Sequence, residues 1–178
     1  MELSKLKKGE IVLVITSSMK YASTNLEVLK YYLNELSNYG IYVTVNIPSA
    51  ILLKSLAQKG VNVENLFVID AITPGSSEMQ RSGNVVFVGS PSALTDISIS
   101  ADSAVKSITK KDKFLFLDSI STLVLYNESE SVTKFAHFLI NKMKEWRISG
   151  AIISLEKETD EKMLSQLSQF CDRVIEAK

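Results

Sequence analysis

The chain has 178 residues, 46% of them hydrophobic and 22% charged, with 20 Lys plus Arg set against 20 Asp plus Glu. This is enough apolar chain to bury a core without disulfide or metal staples, and it reads as one domain over residues 1–178. Zero net charge argues against a nucleic-acid partner, which a basic excess would announce, and it lifts the self-repulsion that opposes association with a protein partner or with a second copy.

The lysine-rich start, Met1 to Lys8, lacks the apolar segment of a signal peptide. The first apolar run, Ile11-Val12-Leu13-Val14-Ile15, is far short of the roughly 20 residues that span a bilayer. The expectation is therefore a cytoplasmic protein with no membrane span. That first run is instead a β-branched strand buried on both faces. Leu26, Leu29, Leu33 and Leu36 then recur at helical spacing, and the helix is expected to end at Gly40. Ile41 to Val45 is the second strand. Ile51, Leu52, Leu56 and Ala57 mark a short helix closed by Gly60, and Leu66 to Ile69 is the third strand.

Residues 73–83 are polar and rich in breakers, which predicts a long loop. Val85 to Val88 returns to strand. Ser90-Pro91 is expected to open the next helix, with Leu94, Ile97, Ala101, Ala104, Val105 and Ile108 as its apolar stripe. Phe114-Leu115-Phe116-Leu117 is a fifth strand ending in Asp118. Val132 to Met143 gives a long amphipathic helix, Ala151 to Ile153 a sixth strand, Met163 to Phe170 a last helix, and Val174-Ile175 a final strand. Strands alternating with helices predict a three-layer α/β/α domain around a mostly parallel sheet.

Such sheets bind ligands beyond the carboxyl ends of their strands. The turn after the first strand can be laid on the phosphate-cradling pattern G-x-x-x-x-G-K-[ST]. Ser17 then stands for the first Gly, Ala22 for the second, Ser23 for the Lys and Thr24 for the magnesium-binding hydroxyl. The length and context match, but the Lys that pairs with the phosphates is missing, and Ala22 adds a Cβ where a backbone N–H must approach. Lys20 lies in the same turn and offers a cation there. Asp118, after four apolar residues, has the form of the carboxylate that holds a magnesium shell, with Thr24 as its partner if Mg–nucleotide binds. As a plain strand-end Asp it would cap a turn.

Other chemistry is thin. His137 is the only histidine and Cys171 the only cysteine, so no multi-histidine or zinc motif exists. Cys171 reads as a small buried hydrophobe, His137 as a packed or surface side chain, and Trp146 as core or partner contact. The run Glu156 to Lys162 reads as a solvated lead-in to a helix, with Thr159 or Asp160 as its N-cap.

In order and spacing, the segments Lys8-Gly9-Glu10 with the first strand, Phe114 to Asp118 with Ser119-Ile120-Ser121, Gly150 to Ser154, and Cys171 to Ile175 resemble the RecA/KaiC-like P-loop ATPases of archaea over almost the whole chain. Ser90 to Ile97 is similar to a segment of uncharacterised archaeal relatives. The resemblance implies a RecA-like P-loop NTPase fold, with Ile11–Ile15 and Phe114–Leu117 side by side and Ser17, Thr24 and Asp118 around one cleft. Active members end the second strand in a glutamate pair that activates water, where this chain has Asn46. The resemblance and these departures together imply a degenerate Walker A motif and no catalytic residue. The domain would be a regulatory or scaffolding module that forms oligomers or engages a protein partner, with at most weak binding of ATP and Mg. The alternative is a divergent active ATPase that uses Lys20 or a neighbouring subunit's residue.

Overall fold

A computed structural model describes residues 3–36, 38–73, 80–157 and 159–177 of the chain. Eight strands form one sheet: β1 (Ile11–Thr16), β2 (Tyr39–Thr44), β3 (Leu66–Asp70), β4 (Gln80–Ser82), β5 (Val85–Phe87), β6 (Lys113–Asp118), β7 (Ser149–Leu155) and β8 (Arg173–Ala177). Their order is β4-β5-β3-β2-β6-β7-β1-β8. Every pairing is parallel except that of β4 with β5.

Among the described residues six α-helices cover the sheet: α1 (Tyr21–Lys30), α2 (Ser49–Gln58), α3 (Leu94–Ser107), α4 (Ile120–Tyr126), α5 (Ser129–Trp146) and α6 (Glu161–Phe170). The two-residue period of the strands sorts the core into two layers. Ile11 and Leu13, Ile41 and Val43, and Leu115 and Leu117 face α3 to α6. Val12 and Val14, Tyr42, Val68 and Phe116 face α1 and α2. This is the three-layer α/β/α architecture expected, around a mostly parallel sheet. No helix among the described residues is long and apolar enough to cross a membrane.

Four local expectations are corrected. β1 and β6 are not neighbours, because β7 lies between them and pairs with both. The chain leaves β6 through α4 and α5 before returning, and a strand's local apolar pattern carries no signal for where that return lands. Gly40 does not end the first helix. α1 continues into a π-helical turn over Tyr31–Glu35, and Gly40 sits inside β2. A Cβ at Gly40 would lie 2.7 Å from Leu66 Cδ1 and 2.8 Å from the Phe114 ring, so the glycine is there for close packing.

The long polar loop is partly strand. Residues 74–79 lie outside the described residues, but Gln80–Ser82 forms β4, joined to β5 by a two-residue turn at Gly83-Asn84. Gly83 has φ +59°, which the first position of such a primed turn favours. Lastly, Ser90-Pro91 forms a turn, and α3 begins at Leu94. Ser90 Oγ accepts from Ser92 N–H, holding the chain outside the helix for three residues.

Three further readings hold, while Thr159, in the run read as solvated, is buried. Asp160 caps α6 by accepting from Met163 N–H at 2.8 Å. Cys171 is buried, and burial pushes its thiol up to about 12. Trp146 packs partly buried against the core.

Gly40→Ala would force Leu66 and Phe114 apart and should destabilise the protein by about 1–3 kcal/mol. Urea unfolding with an unchanged m-value is the measurement. An effect below about 0.5 kcal/mol, the ordinary size of a surface substitution, would refute the close-packing role.

Candidate functional site

Asp118 ends β6 at the carboxyl edge of the sheet and is only 1% exposed. Tyr21, the first residue of α1, donates its phenol O–H to Asp118 Oδ1. Tyr42 of β2 donates to Oδ2. Asn46 Nδ2 donates to the Tyr21 oxygen at 2.6 Å and to Asp118 Oδ1 at 3.3 Å. Asn25, one turn after Tyr21, is buried beside this group, and its own Oδ1 has no partner among the described residues. The Asp118–Ser119 peptide bond is cis, and Ser119 Oγ caps α4.

Burial pushes the Asp118 carboxyl up from the ordinary range, and the hydrogen bonds from Tyr21, Tyr42 and Asn46 only partly offset it. Burial, then the neighbouring Asp118 charge, raises both phenols well above their usual value. Tyr21 and Tyr42 therefore remain protonated donors across the physiological range.

A second carboxylate lies in the same row. In the sheet register Thr44 pairs with Asp118 on one side and Asp70 on the other. Asp70 is fully buried at the end of β3. It accepts from Ser49 N–H at 2.7 Å at the start of α2, from Ile72 N–H at 3.1 Å, and from Thr73 N–H at 2.9 Å and Oγ1 at 2.6 Å. Burial again pushes upward, but here the bonds from Thr73 and Ser49 win and hold the carboxyl below its usual range.

The segment aligned with a phosphate loop sits at the same edge. Lys20 N–H bonds Ser17 O at 3.1 Å in a tight turn, and α1 begins at Tyr21, so Ala22 and Ser23 are helical and exposed. Ser23 Oγ folds back onto Lys20 O at 2.8 Å. Thr24 is buried, its hydroxyl 3.0 Å from that of Thr16 at the end of β1. Ser17 is half-buried and the Lys20 side chain is exposed. The structure thus joins Asn46 to Asp118, and puts Thr24 at the end of β1, bonded to Thr16, with β7 between β1 and the strand that carries Asp118.

Sequence reasoning missed Tyr21, Asn25, Tyr42 and Asp70. Tyr42 had a usable signal: a phenol in a strand buried on both faces must find a polar partner. Asp70 repeats the pattern of Asp118, four apolar residues and then Asp. Elsewhere, a groove of about 490 Å³ lies between α5 and α6. His137 there stacks on Phe170 with ring centroids 4.2 Å apart. On the same side of the sheet Thr159 joins Ser121 and Ser154 in a buried hydroxyl chain. Among the described residues no group of three His, Cys, Asp or Glu side chains is placed to hold a metal ion.

The two carboxylates carry opposite pH signatures. Asp70, with its depressed value, stabilises the fold above the unfolded Asp value of about 3.9, and this is lost as pH falls through the folded value. Asp70→Asn should cost about 1.5–3 kcal/mol at pH 7, and the gap should close on acidification. Asp118, with its raised value, favours the fold only while protonated, so stability drains away as pH rises. Relative to wild type, Asp118→Asn should gain stability as pH rises above the unfolded Asp value of about 3.9. Melting curves against pH that ran parallel for both variants would refute the assignment.

No curated protein shows significant sequence similarity to the chain. Several solved structures share its fold. The KaiC-like protein PH0186 from Pyrococcus horikoshii OT3 superposes with a TM-score of 0.68 at 17% identity, over 96% of this chain and 72% of that one. The uncharacterized protein PH0321 from Pyrococcus horikoshii, solved in complex with an unknown peptide, gives 0.72 at 15% identity, over 99% of this chain and 80% of that one. PH0250 from the same organism gives 0.68 at 16% identity, over 98% and 85%. At these identities the likeness establishes the fold. A family model matches residues 29–177, most of the sequence, and the chain belongs to that family, the family of unknown function DUF7504.

Proposed function

We propose that this chain is a RecA/KaiC-like domain that does not hydrolyse ATP and acts as a regulatory or scaffolding module for a protein partner or a second copy of itself. The observation that carries this is the state of Asp118, wrapped by the phenols of Tyr21 and Tyr42 and the amide of Asn46. The residues do not fit a magnesium–nucleotide. Ser23 stands in place of a phosphate-pairing lysine and bends back to Lys20 O, and the Thr24 hydroxyl is engaged by Thr16. At the position where a carboxylate would take a proton from water, Asn46 offers Asp118 N–H groups.

Support for an interaction role is of another kind. Met19, in the turn before α1, is 92% exposed, and Leu125 on α4 is 77% exposed. Apolar side chains held in water favour a covering surface. The peptide in the complex of the similarly folded PH0321 shows that one protein of this architecture holds a chain segment. Transferred to this chain, that is the binding mode proposed.

Phosphate release from ATP and Mg²⁺ should not exceed background, for the native chain or for Asp118→Asn. Loss of one preorganised charge-stabilising group costs about 2.7–4 kcal/mol of transition-state stabilisation, or a factor of roughly 10²–10³ in rate. With both the lysine and the water-activating carboxylate missing, a turnover of a few per second falls below routine detection. Release well above background that Asp118→Asn abolishes would instead establish the divergent ATPase, with Lys20 as the candidate cation.

A further inference from the structure

The polarity of the groups around Asp118 goes further than the missing lysine. A divalent cation is held by converging lone pairs, namely carboxylate, carbonyl, amide and water oxygens. What converges on Asp118 is hydrogen. The Tyr21 and Tyr42 hydroxyls donate to separate oxygens, and Asn46 turns its Nδ2 side to the carboxylate. A carboxylate has about four lone-pair sites, and three neutral donors already converge on them. The one acceptor nearby with no partner among the described residues is Asn25 Oδ1.

Tyr21 has a distinct place among these donors. Tyr42 belongs to β2 and packs at a tilt against Phe116, its ring centroid 4.9 Å away, so it is part of the core wall. Asn46 follows the same strand. Tyr21 comes from outside the sheet, at the first residue of α1 after β1. Because β7 lies between β1 and β6, its side chain has to reach across roughly two strand spacings, about 9–10 Å. A short side chain at the head of α1 could not do this. A tyrosine can, and it brings a donor to the open side of the carboxylate.

We infer that Tyr21 is a built-in plug: its phenol occupies the cation position at Asp118, so that the cleft is satisfied by the protein and closed to divalent ions. This rests on the non-hydrolysing function proposed above and specifies how the site is shut. Tyr21 acts as a positioning residue here, holding the head of α1 to the end of β6.

The test is Mn²⁺ titration followed by the electron paramagnetic resonance of the free ion. Wild type and Asp118→Asn should give superimposable curves. Asn46→Asp places a second carboxylate beside Asp118 but leaves the plug in, and should gain little. Adding Tyr21→Ala to Asn46→Asp should open the position and bind one Mn²⁺ at least about tenfold more tightly than Asn46→Asp alone, as oxygen ligands replace donors. Circular dichroism checks that each variant is folded.

Wild-type binding that Asp118→Asn removes would overturn the plug, and so would equal affinity of the single and double variants. Should the double variant fail to fold, the comparison of wild type with Asp118→Asn still decides. Phosphate release is an independent readout. A wild type that binds no Mn²⁺ yet hydrolyses ATP would overturn the proposed function and keep the plug, whereas Mn²⁺ held at Asp118 without hydrolysis would do the reverse.

Discussion

A carboxylate carried to the interior on the end of a central strand has to be solvated by the protein, because burial takes it out of bulk water. This chain meets that requirement twice in one row across the sheet. Asp118 and Asp70 flank Thr44 in register, all three buried on the face covered by α1 and α2. Each carboxylate takes at least one donor from the start of one of those helices. Asp118 takes the phenol at the head of α1, and Asp70 takes the first backbone N–H of α2. Apolar packing drives both helices onto the sheet but has little directional preference. The hydrogen bonds of the two carboxyl groups supply direction, fixing which end of each helix meets which strand.

The opposite face uses neutral groups for a similar task. Ser121, Thr159 and Ser154 form a hydroxyl chain that ties the β7–α6 connection to the start of α4, and Leu155 N–H donates to Ser121 at 2.7 Å. A hydroxyl both donates and accepts, so the chain closes on itself without a charge. The difference between the faces matters for function. An open parallel sheet offers its ligand site at this carboxyl edge. On the α1/α2 side the site contains strong acceptors, and here their capacity is already taken up by donors.

Much of the fold was legible because burial on both faces writes itself into a strand as an uninterrupted aliphatic run. Ile11 to Ile15 and Phe114 to Leu117 are of this kind, and helical spacing located the cores of α1, α3, α5 and α6. What local pattern does not carry is the order of strands across the sheet, so β7 came between β1 and β6 unannounced. Gly40 looked like a helix stop because it follows a leucine-spaced stretch, but the space between Leu66 and Phe114 decides its identity. The site was half legible. Asp118 and Asn46 were found from strand-end positions. Tyr21, Asn25 and Tyr42 were not, since comparison with a phosphate loop directs attention to absent glycines and lysine rather than to what a buried phenol must bond.

The choice between a cation and a phenol as partner for Asp118 has a consequence for how such a domain can behave. A cation arrives with a ligand and leaves with it, so the carboxylate is alternately satisfied and exposed, and the elements around it acquire two states whose balance the ligand sets. A phenol on the chain is present at unvarying effective concentration, and the elements it joins gain no second state from ligand. With Tyr21 holding α1 to β6, the cleft face becomes part of the permanent core, and any change in association must come from the surface. That suits a scaffold better than a nucleotide switch. It also places the exposed Met19 in a turn, Ser17 to Lys20, whose one end is anchored by the continuous strand β1 and whose other end is anchored by the hydrogen bond of Tyr21 to Asp118. An apolar side chain presented from a turn fixed at both ends loses little conformational freedom on being covered, which is the condition under which a small contact yields useful affinity.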